Sequence, residues 1–172
     1  MRRGIFLDRD GTIIRDEHYL REPARITFLP GAIAALRAFQ ARGDALVVIT
    51  NQSGIARGLI LPEEHAAVRQ EFERQLKSFG LALDGYYFCP HAPDAGCPCR
   101  KPFPGMLEQE AKDLGIDLAT SFMVGDRESD VLAGKNAGCK TAFLAGTAPQ
   151  LDYGASVAAT DWDALLEGIL TA

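Results

Sequence analysis

Five short apolar runs, each separated from the next by a stretch with helical spacing, constrain the fold of this 172-residue chain more than any other feature. The runs are Gly4–Leu7, Ala45–Thr50, Gly85–Cys89, Phe122–Gly125 and Thr141–Leu144. Between them, Ala32, Leu36 and Phe39 fall at i, i+4 and i+7, and Val68, Phe72, Leu76 and Phe79 mark one face of a longer helix. Pro62, Glu63 and Glu64 suit that helix's first turn, where a missing N–H costs nothing and acidic side chains complement the dipole. Leu107, Ala111 and Leu114 stripe a third helix that should stop at Gly115; a fourth spans about Glu128 to Ala137, stopped by Gly138. Asp161 to Leu170 reads as a last amphipathic helix. Strands that alternate with helices pair in parallel through right-handed crossovers, which predicts a three-layer α/β/α sandwich around a mostly parallel sheet. A chain of this length buries one core, and no repeat, low-complexity tract or long linker divides it, so residues 1–172 are expected to form a single domain.

In an open sheet of this kind, ligands are met outside the carboxyl ends of the strands. Asp8-Arg9-Asp10-Gly11-Thr12 directly follows Ile5-Phe6-Leu7, and Gly11 permits a sharp turn that lets both acids face one site. Carboxylates there suit attack on phosphorus and Mg²⁺ coordination. Thr50-Asn51-Gln52-Ser53-Gly54 follows the second strand; its hydroxyl, amide and backbone N–H groups can cradle a phosphoryl group, and the same residues would also make an ordinary polar turn. Arg100 and Lys101 precede the Leu107 helix, where a lysine supplies a point charge and an arginine a bidentate grip. A solvated basic pair has the same composition. In Val124-Gly125-Asp126-Arg127-Glu128-Ser129-Asp130, Asp126 either completes a Mg²⁺ site or caps the following helix.

Four such pieces in this order, each after a strand, resemble the four motifs of the haloacid dehalogenase superfamily of phosphotransferases, over most of the chain. The resemblance implies a Rossmann-like fold and a Mg²⁺-dependent phosphoric monoester hydrolase. In that reading the catalytic residues are Asp8, Asp10, Thr50 and Lys101. Asp8 attacks phosphorus to form an aspartyl-phosphate, and Asp10 protonates the leaving alcohol and then activates water. Mg²⁺ is held by Asp8, the backbone carbonyl of Asp10, and Asp126, while Thr50, Asn51 and Lys101 bind the transferring phosphoryl group. Only about 40 residues separate Asp10 from Thr50, so the cap that larger members insert there is minimal and the site open.

Cys89, His91, Cys97 and Cys99 form a C-x-H-x5-C-x-C array. Three thiols and an imidazole are a closed tetrahedral Zn²⁺ set with no open position for chemistry. A disulfide within the set, free thiols, or a redox role for Cys97-Pro98-Cys99 are the competing readings. Pro90, Pro93, Gly96 and Pro98 suit a tight loop that zinc would organise, and that loop delivers Arg100 and Lys101. Cys139 reads as a small buried hydrophobe, and His18 and His65 as surface residues.

The zinc loop, together with Gly54-Ile55-Ala56-Arg57-Gly58 and Pro104-Gly105-Met106, resembles the histidinol-phosphate phosphatase-like branch of that superfamily. The last two stretches favour its sugar-bisphosphate members, which implies removal of the 7-phosphate of a heptose 1,7-bisphosphate in lipopolysaccharide core biosynthesis. The short zinc loop and Arg127 match the branch's other activity, on histidinol phosphate. Arg57, Arg100 and Arg127 are cations beyond Lys101, as a second phosphate would require, and Asp16, Glu17, His18 and Tyr19 are expected to meet the sugar. Arg9, Gln52 and Ser53 complete the expected substrate contacts. A non-catalytic zinc-stabilised binding module is the alternative from another class, and Asp8, Asp10, Lys101 and Asp126 occurring together speak against it.

The net charge of −5 argues against a nucleic-acid or anionic-membrane partner. No run approaches the roughly 18 apolar residues of a membrane span, and Met1-Arg2-Arg3-Gly4 leads straight into a strand, so a cytoplasmic protein is expected. Nothing in the sequence points to assembly, which leaves a monomer as the default.

Overall fold

The computed structural model describes residues 1–148 and 150–172. In chain order its elements are β1 (Gly4–Leu7), α1 (Ala32–Ala41), β2 (Ala45–Asn51), α2 (Pro62–Ser78), β3 (Gly85–Cys89), α3 (Gly105–Leu114), β4 (Phe122–Gly125), α4 (Glu128–Ala137), β5 (Lys140–Leu144), β6 (Val157–Ala159) and α5 (Trp162–Thr171). Every expected strand and helix is present. The short β6 was not foreseen, and it adds a sixth strand to a sheet in which all five pairings are parallel.

The strands read as near-continuous apolar runs because the sheet is covered on both faces. All residues of β1 and β4 are buried. Alternate side chains go to opposite layers. Ile5 and Leu7 join Leu36, Phe39, Val68, Phe72, Leu165 and Ile169 of α1, α2 and α5, whereas Phe6 joins Val47, Ile49, Met123 and the α3 residues Leu107 and Ala111. Glycines in left-handed conformation end α3 and α4 as the sequence predicted, Gly115 at φ 64° and Gly138 at φ 79°. No helix among the described residues is long and apolar enough to cross a membrane.

The strand order β3-β2-β1-β4-β5-β6 makes β1 the turning point of the chain's path. Growth runs from β1 out to β3, then restarts at β4 on the other side of β1. The connections leaving β1 and β4 therefore diverge and open a crevice at the strands' carboxyl ends. The indole Nε1 of Trp162 donates to Thr12 O at 2.7 Å, tying α5 to the loop that follows β1.

His65 departs from its expected surface position. It is buried, with its ring 4.3 Å from that of Phe88, because it extends the inward stripe of α2 through Val68, Phe72 and Leu76. Burial, reinforced by the Arg9 and Arg69 cations, pushes its pKa down to about 4. Cys139 is buried as expected, and His18 is exposed.

Candidate active site

Asp8 is the first residue beyond β1, and its N–H donates to Val124 O at 2.9 Å, so the β1–β4 pairing itself sets its place. The turn that follows needs glycine: Gly11 has φ 87°, and a Cβ there would stand 2.3 Å from Asp126 Oδ2. Thr12 Oγ1 donates to Asp126 Oδ1 at 3.1 Å, which fixes the acid at the end of β4. Asp8, Asp126 and Asp130 bring carboxylate oxygens within 4.8 Å of one another.

Lys101 reaches into this cluster. Its three ammonium protons meet three acceptors: Asp8 Oδ1 at 2.8 Å, Asp130 Oδ1 at 2.7 Å and Ile49 O at 2.7 Å. Burial acts to lower its pKa, but the carboxylates of Asp130 and Asp8 outweigh that and hold it up at about 12. Burial raises the Asp8 carboxyl, and Lys101 offsets part of the rise. Asp126 is pushed up to about 7 by burial and by the charges of Asp8 and Asp130. Both Asp130 oxygens are engaged, one by Lys101 and the other by the Arg127 N–H at 3.0 Å. Its role was open from sequence; the geometry makes it the anchor of Lys101. Asp8 and Asp126 remain as the acids with oxygens to spare. Hard oxygen donors carrying more negative charge than one ammonium cancels fit a divalent cation such as Mg²⁺.

A cavity of about 400 Å³ opens over this cluster, and its walls include Asp8, Asp10, Asp16, His18, Tyr19, Thr50, Asn51, Gln52, Ser53, Arg100, Lys101 and Arg127. Gln52 Nε2 donates to Thr50 Oγ1 at 2.9 Å and to Asp10 Oδ2 at 2.8 Å, linking the second motif to the first. Asn51 differs from its expected part. Both ends of its amide hold the Lys101 backbone, Nδ2 to O and Oδ1 from N, each at 3.1 Å, so it places the lysine rather than reserving its amide for a ligand. Arg100 carries a buried Nη1 with no hydrogen-bond partner among the described residues. Arg127 pairs with Asp16 at 2.8 Å across the cavity mouth.

Three residues expected at the substrate lie outside the cavity walls. Arg9 is fully buried and absent from the cavity walls, because its guanidinium is committed to Asp10 and to the Tyr86 hydroxyl. Arg57 also lies outside the walls and donates to the Tyr19 hydroxyl at 2.6 Å, its charge 5.6 Å over that ring. Glu17 is drawn into an ion pair with Arg25 and faces a neighbouring hollow instead.

The Cys/His array converges as its spacing suggested. Cys99 Sγ lies 3.2 Å from Cys89 Sγ and 3.4 Å from Cys97 Sγ, and His91 Nδ1 lies 3.4 Å from Cys89 Sγ and 3.3 Å from Cys99 Sγ. The cysteines are free thiols, and the four ligand atoms lie within 4.8 Å of one another, close enough to hold one metal ion. Cys89 ends β3 in register with Asn51, and Gln52 N donates to Cys89 O at 2.7 Å. The Cys/His loop is thus joined at its start to the second motif, and residues 100 and 101 follow directly from its last cysteine.

A family model described as HAD-hydrolase-like matches residues 98–156. The D-glycero-beta-D-manno-heptose-1,7-bisphosphate 7-phosphatase of Pasteurella multocida (strain Pm70) is 45% identical over 153 residues, covering 86% of this chain and 83% of that protein. The enzyme of the same name from Escherichia coli (strain K12) is 42% identical over 165 residues, 92% of this chain and 86% of its own. Among solved structures, the D,D-heptose 1.7-bisphosphate phosphatase from B. bronchiseptica, complexed with magnesium and phosphate, superposes with a TM-score of 0.88 at 34% identity over 98% of both chains.

Proposed function

Because this chain belongs to the D-glycero-beta-D-manno-heptose-1,7-bisphosphate 7-phosphatase family, we propose that it hydrolyses the 7-phosphate of that sugar through an aspartyl-phosphate on Asp8. The observation that carries the reading is one cavity in which Asp8, Asp10, Thr50 and Lys101 meet at one end of the sheet with Arg100 and Arg127 in the same walls. Phosphoryl transfer asks a protein mainly for positioning and charge neutralisation. The site offers both.

In the first half-reaction an Asp8 carboxylate oxygen bonds to phosphorus, the P–O bond to the sugar breaks, and Asp10 gives a proton to the departing alkoxide. In the second, Asp10 takes a proton from water as the water oxygen bonds to phosphorus and the acyl-phosphate P–O bond breaks, which returns Asp8. Thr50 Oγ1 and the Lys101 ammonium, already 2.8 Å from Asp8, are set to bind the phosphoryl oxygens. Asp8, Asp126 and the Asp10 carbonyl would hold Mg²⁺, the ion found with the B. bronchiseptica relative, whose charge offsets that of the phosphoryl group. The 1-phosphate suits Arg100, whose buried Nη1 has no acceptor among the described residues, and Arg127, which must leave Asp16 to receive it. Asp16, His18, Tyr19 and Ser53 line the space left for the sugar. Cys89, His91, Cys97 and Cys99 would hold structural Zn²⁺, a closed thiolate–imidazole set being unsuited to chemistry.

A phosphate-release panel with heptose 1,7-bisphosphate, fructose 1,6-bisphosphate and histidinol phosphate tests the substrate. The heptose should lead in kcat/KM and lose only its 7-phosphate. Histidinol phosphate ahead by about tenfold, some 1.4 kcal/mol in transition-state binding, would overturn the assignment.

A further inference from the structure

Arg9 stands between the two acids of the first motif and is wholly enclosed, its relative exposure 0%. A guanidinium cannot shed its charge and carries five N–H donors, so enclosing it demands fixed acceptors around it. Asp10 supplies most of them. Nε lies 3.2 Å from Oδ1, and Nη2 lies 3.1 Å from Oδ1 and 2.8 Å from Oδ2. On the far side Nη1 donates to the Tyr86 hydroxyl at 3.0 Å. Tyr86 belongs to β3 and is itself buried, and the Arg69 guanidinium of α2 lies 4.5 Å over its ring. The neutral His65 ring closes the same wall, 6.2 Å from Tyr86. Neither α2 nor β3 gives the cavity a wall residue, yet both fix the guanidinium that grips Asp10.

From this geometry we propose that Arg9, held through Tyr86, is the positioning residue for the acid–base Asp10. It sets the plane in which the Asp10 carboxyl meets the leaving oxygen and the attacking water, and it touches neither. The proposal rests on the proposed role of Asp10. An arginine fork locks a carboxylate at two points, where a lysine would give only a point charge. Gln52, donating to Oδ2 at 2.8 Å, completes the clamp from the cavity side. Proton transfer in the transition state tolerates little misplacement, so a carboxyl freed to rotate loses rate without losing substrate affinity.

A mispositioned general acid has a signature that a merely loosened fold lacks. An alkoxide leaves poorly without a proton, whereas p-nitrophenolate leaves readily, and kcat/KM reports the steps up to phosphorylation of Asp8. The experiment compares kcat/KM for the sugar bisphosphate and for p-nitrophenyl phosphate in Arg9→Met, Tyr86→Phe and Asp10→Asn. In Arg9→Met we expect a loss of ~10²-fold on the sugar and less than ~5-fold on the aryl ester, within the range that acid–base groups contribute. Tyr86→Phe keeps the buried ring and removes only the hydroxyl; it should lose ~10-fold on the sugar with little change on the aryl ester, and it carries the test if Arg9→Met does not fold. Selective loss in Asp10→Asn together with equal losses on both substrates, or no loss, in Tyr86→Phe would overturn the role given to Arg9 alone. Equal losses on both substrates in Asp10→Asn would overturn the acid–base reading and this proposal with it.

Discussion

Replacing Lys101 by Met removes the one ammonium enclosed by the acids of the site. The side chain is 2% exposed, and each of its three protons has a single acceptor, two of them buried carboxylates. Breaking a buried pair by deleting one partner costs ~3–5 kcal/mol, most of it the stranded charge left behind. A chain of this size loses ~2–4 °C of Tm per kcal/mol, so the metal-free variant should melt ~6–20 °C below wild type. The melt belongs at pH 8, above the value of about 7 for Asp126, so that this carboxylate is ionised. Mg²⁺ at ~100 times its Kd adds ~2.7 kcal/mol to any fold that alone binds it. In the variant it also relieves the repulsion that Lys101 had screened, so the Mg²⁺-induced gain in Tm should exceed that of wild type. On the proposed role of Lys101 in binding the phosphoryl group, turnover should not return. A metal-free variant melting within ~2 °C of wild type, or gaining no more from Mg²⁺, would refute this account of the cluster.

Asp8→Asn should abolish turnover on every substrate, aryl esters included, and weaken Mg²⁺ binding in calorimetry; retention of more than ~10% of kcat would exclude Asp8 as nucleophile. Cys97→Ser, or chelation, should remove bound zinc and lower kcat while leaving Mg²⁺ affinity in place, and full activity in protein verified to be zinc-free would defeat the structural role. His65 supplies a pH dependence away from the metal sites. Its pKa falls from 6.5 to about 4 on folding, so its stabilisation is fully present above pH 6.5 and is lost as pH drops towards 4. The difference is worth ~3 kcal/mol at ~1.4 kcal/mol per unit. Urea unfolding of His65→Leu should show a flatter slope between those limits, and identical slopes in both proteins would count against the burial argument.

The central strands were legible because each is a bounded apolar run, and the helices because their stripes recur at a fixed spacing. β6 was not, since Val157–Ala159 is three residues long, only partly buried, and joined to the sheet by register with Ala142–Leu144 rather than by any pattern of its own. The acids and the lysine were legible from their position after strands. What local sequence hides is which neighbour claims a side chain. Arg9 reads as a substrate cation until Tyr86, from a strand two places across the sheet, is seen to hold it. Arg57 and Glu17 sit in the expected loops but are claimed by Tyr19 and Arg25. Asp130 could have been suspected as a second acid in the first turn of α4. Its service to Lys101 follows only from the fold. His65 is hard to place from sequence because one histidine among charged residues resembles a solvated face until the stripe is extended back to the helix start.

The turning point at β1 bears on how the protein becomes active after synthesis. Lys101 and Asp8 are 93 residues apart, and Thr12 and Asp126 are 114 apart, so the site is gathered by pairings between segments far apart in the chain. A nascent chain extending only through β3 already carries Asp8, Asp10 and Thr50, yet it lacks the lysine and both acids from β4 and α4. Docking β4 against β1 closes a long loop, the slow kind of event in folding. Phosphatase activity should therefore appear late in refolding, behind the signals of helix formation, and the time of its return marks the moment the two halves of the sheet join.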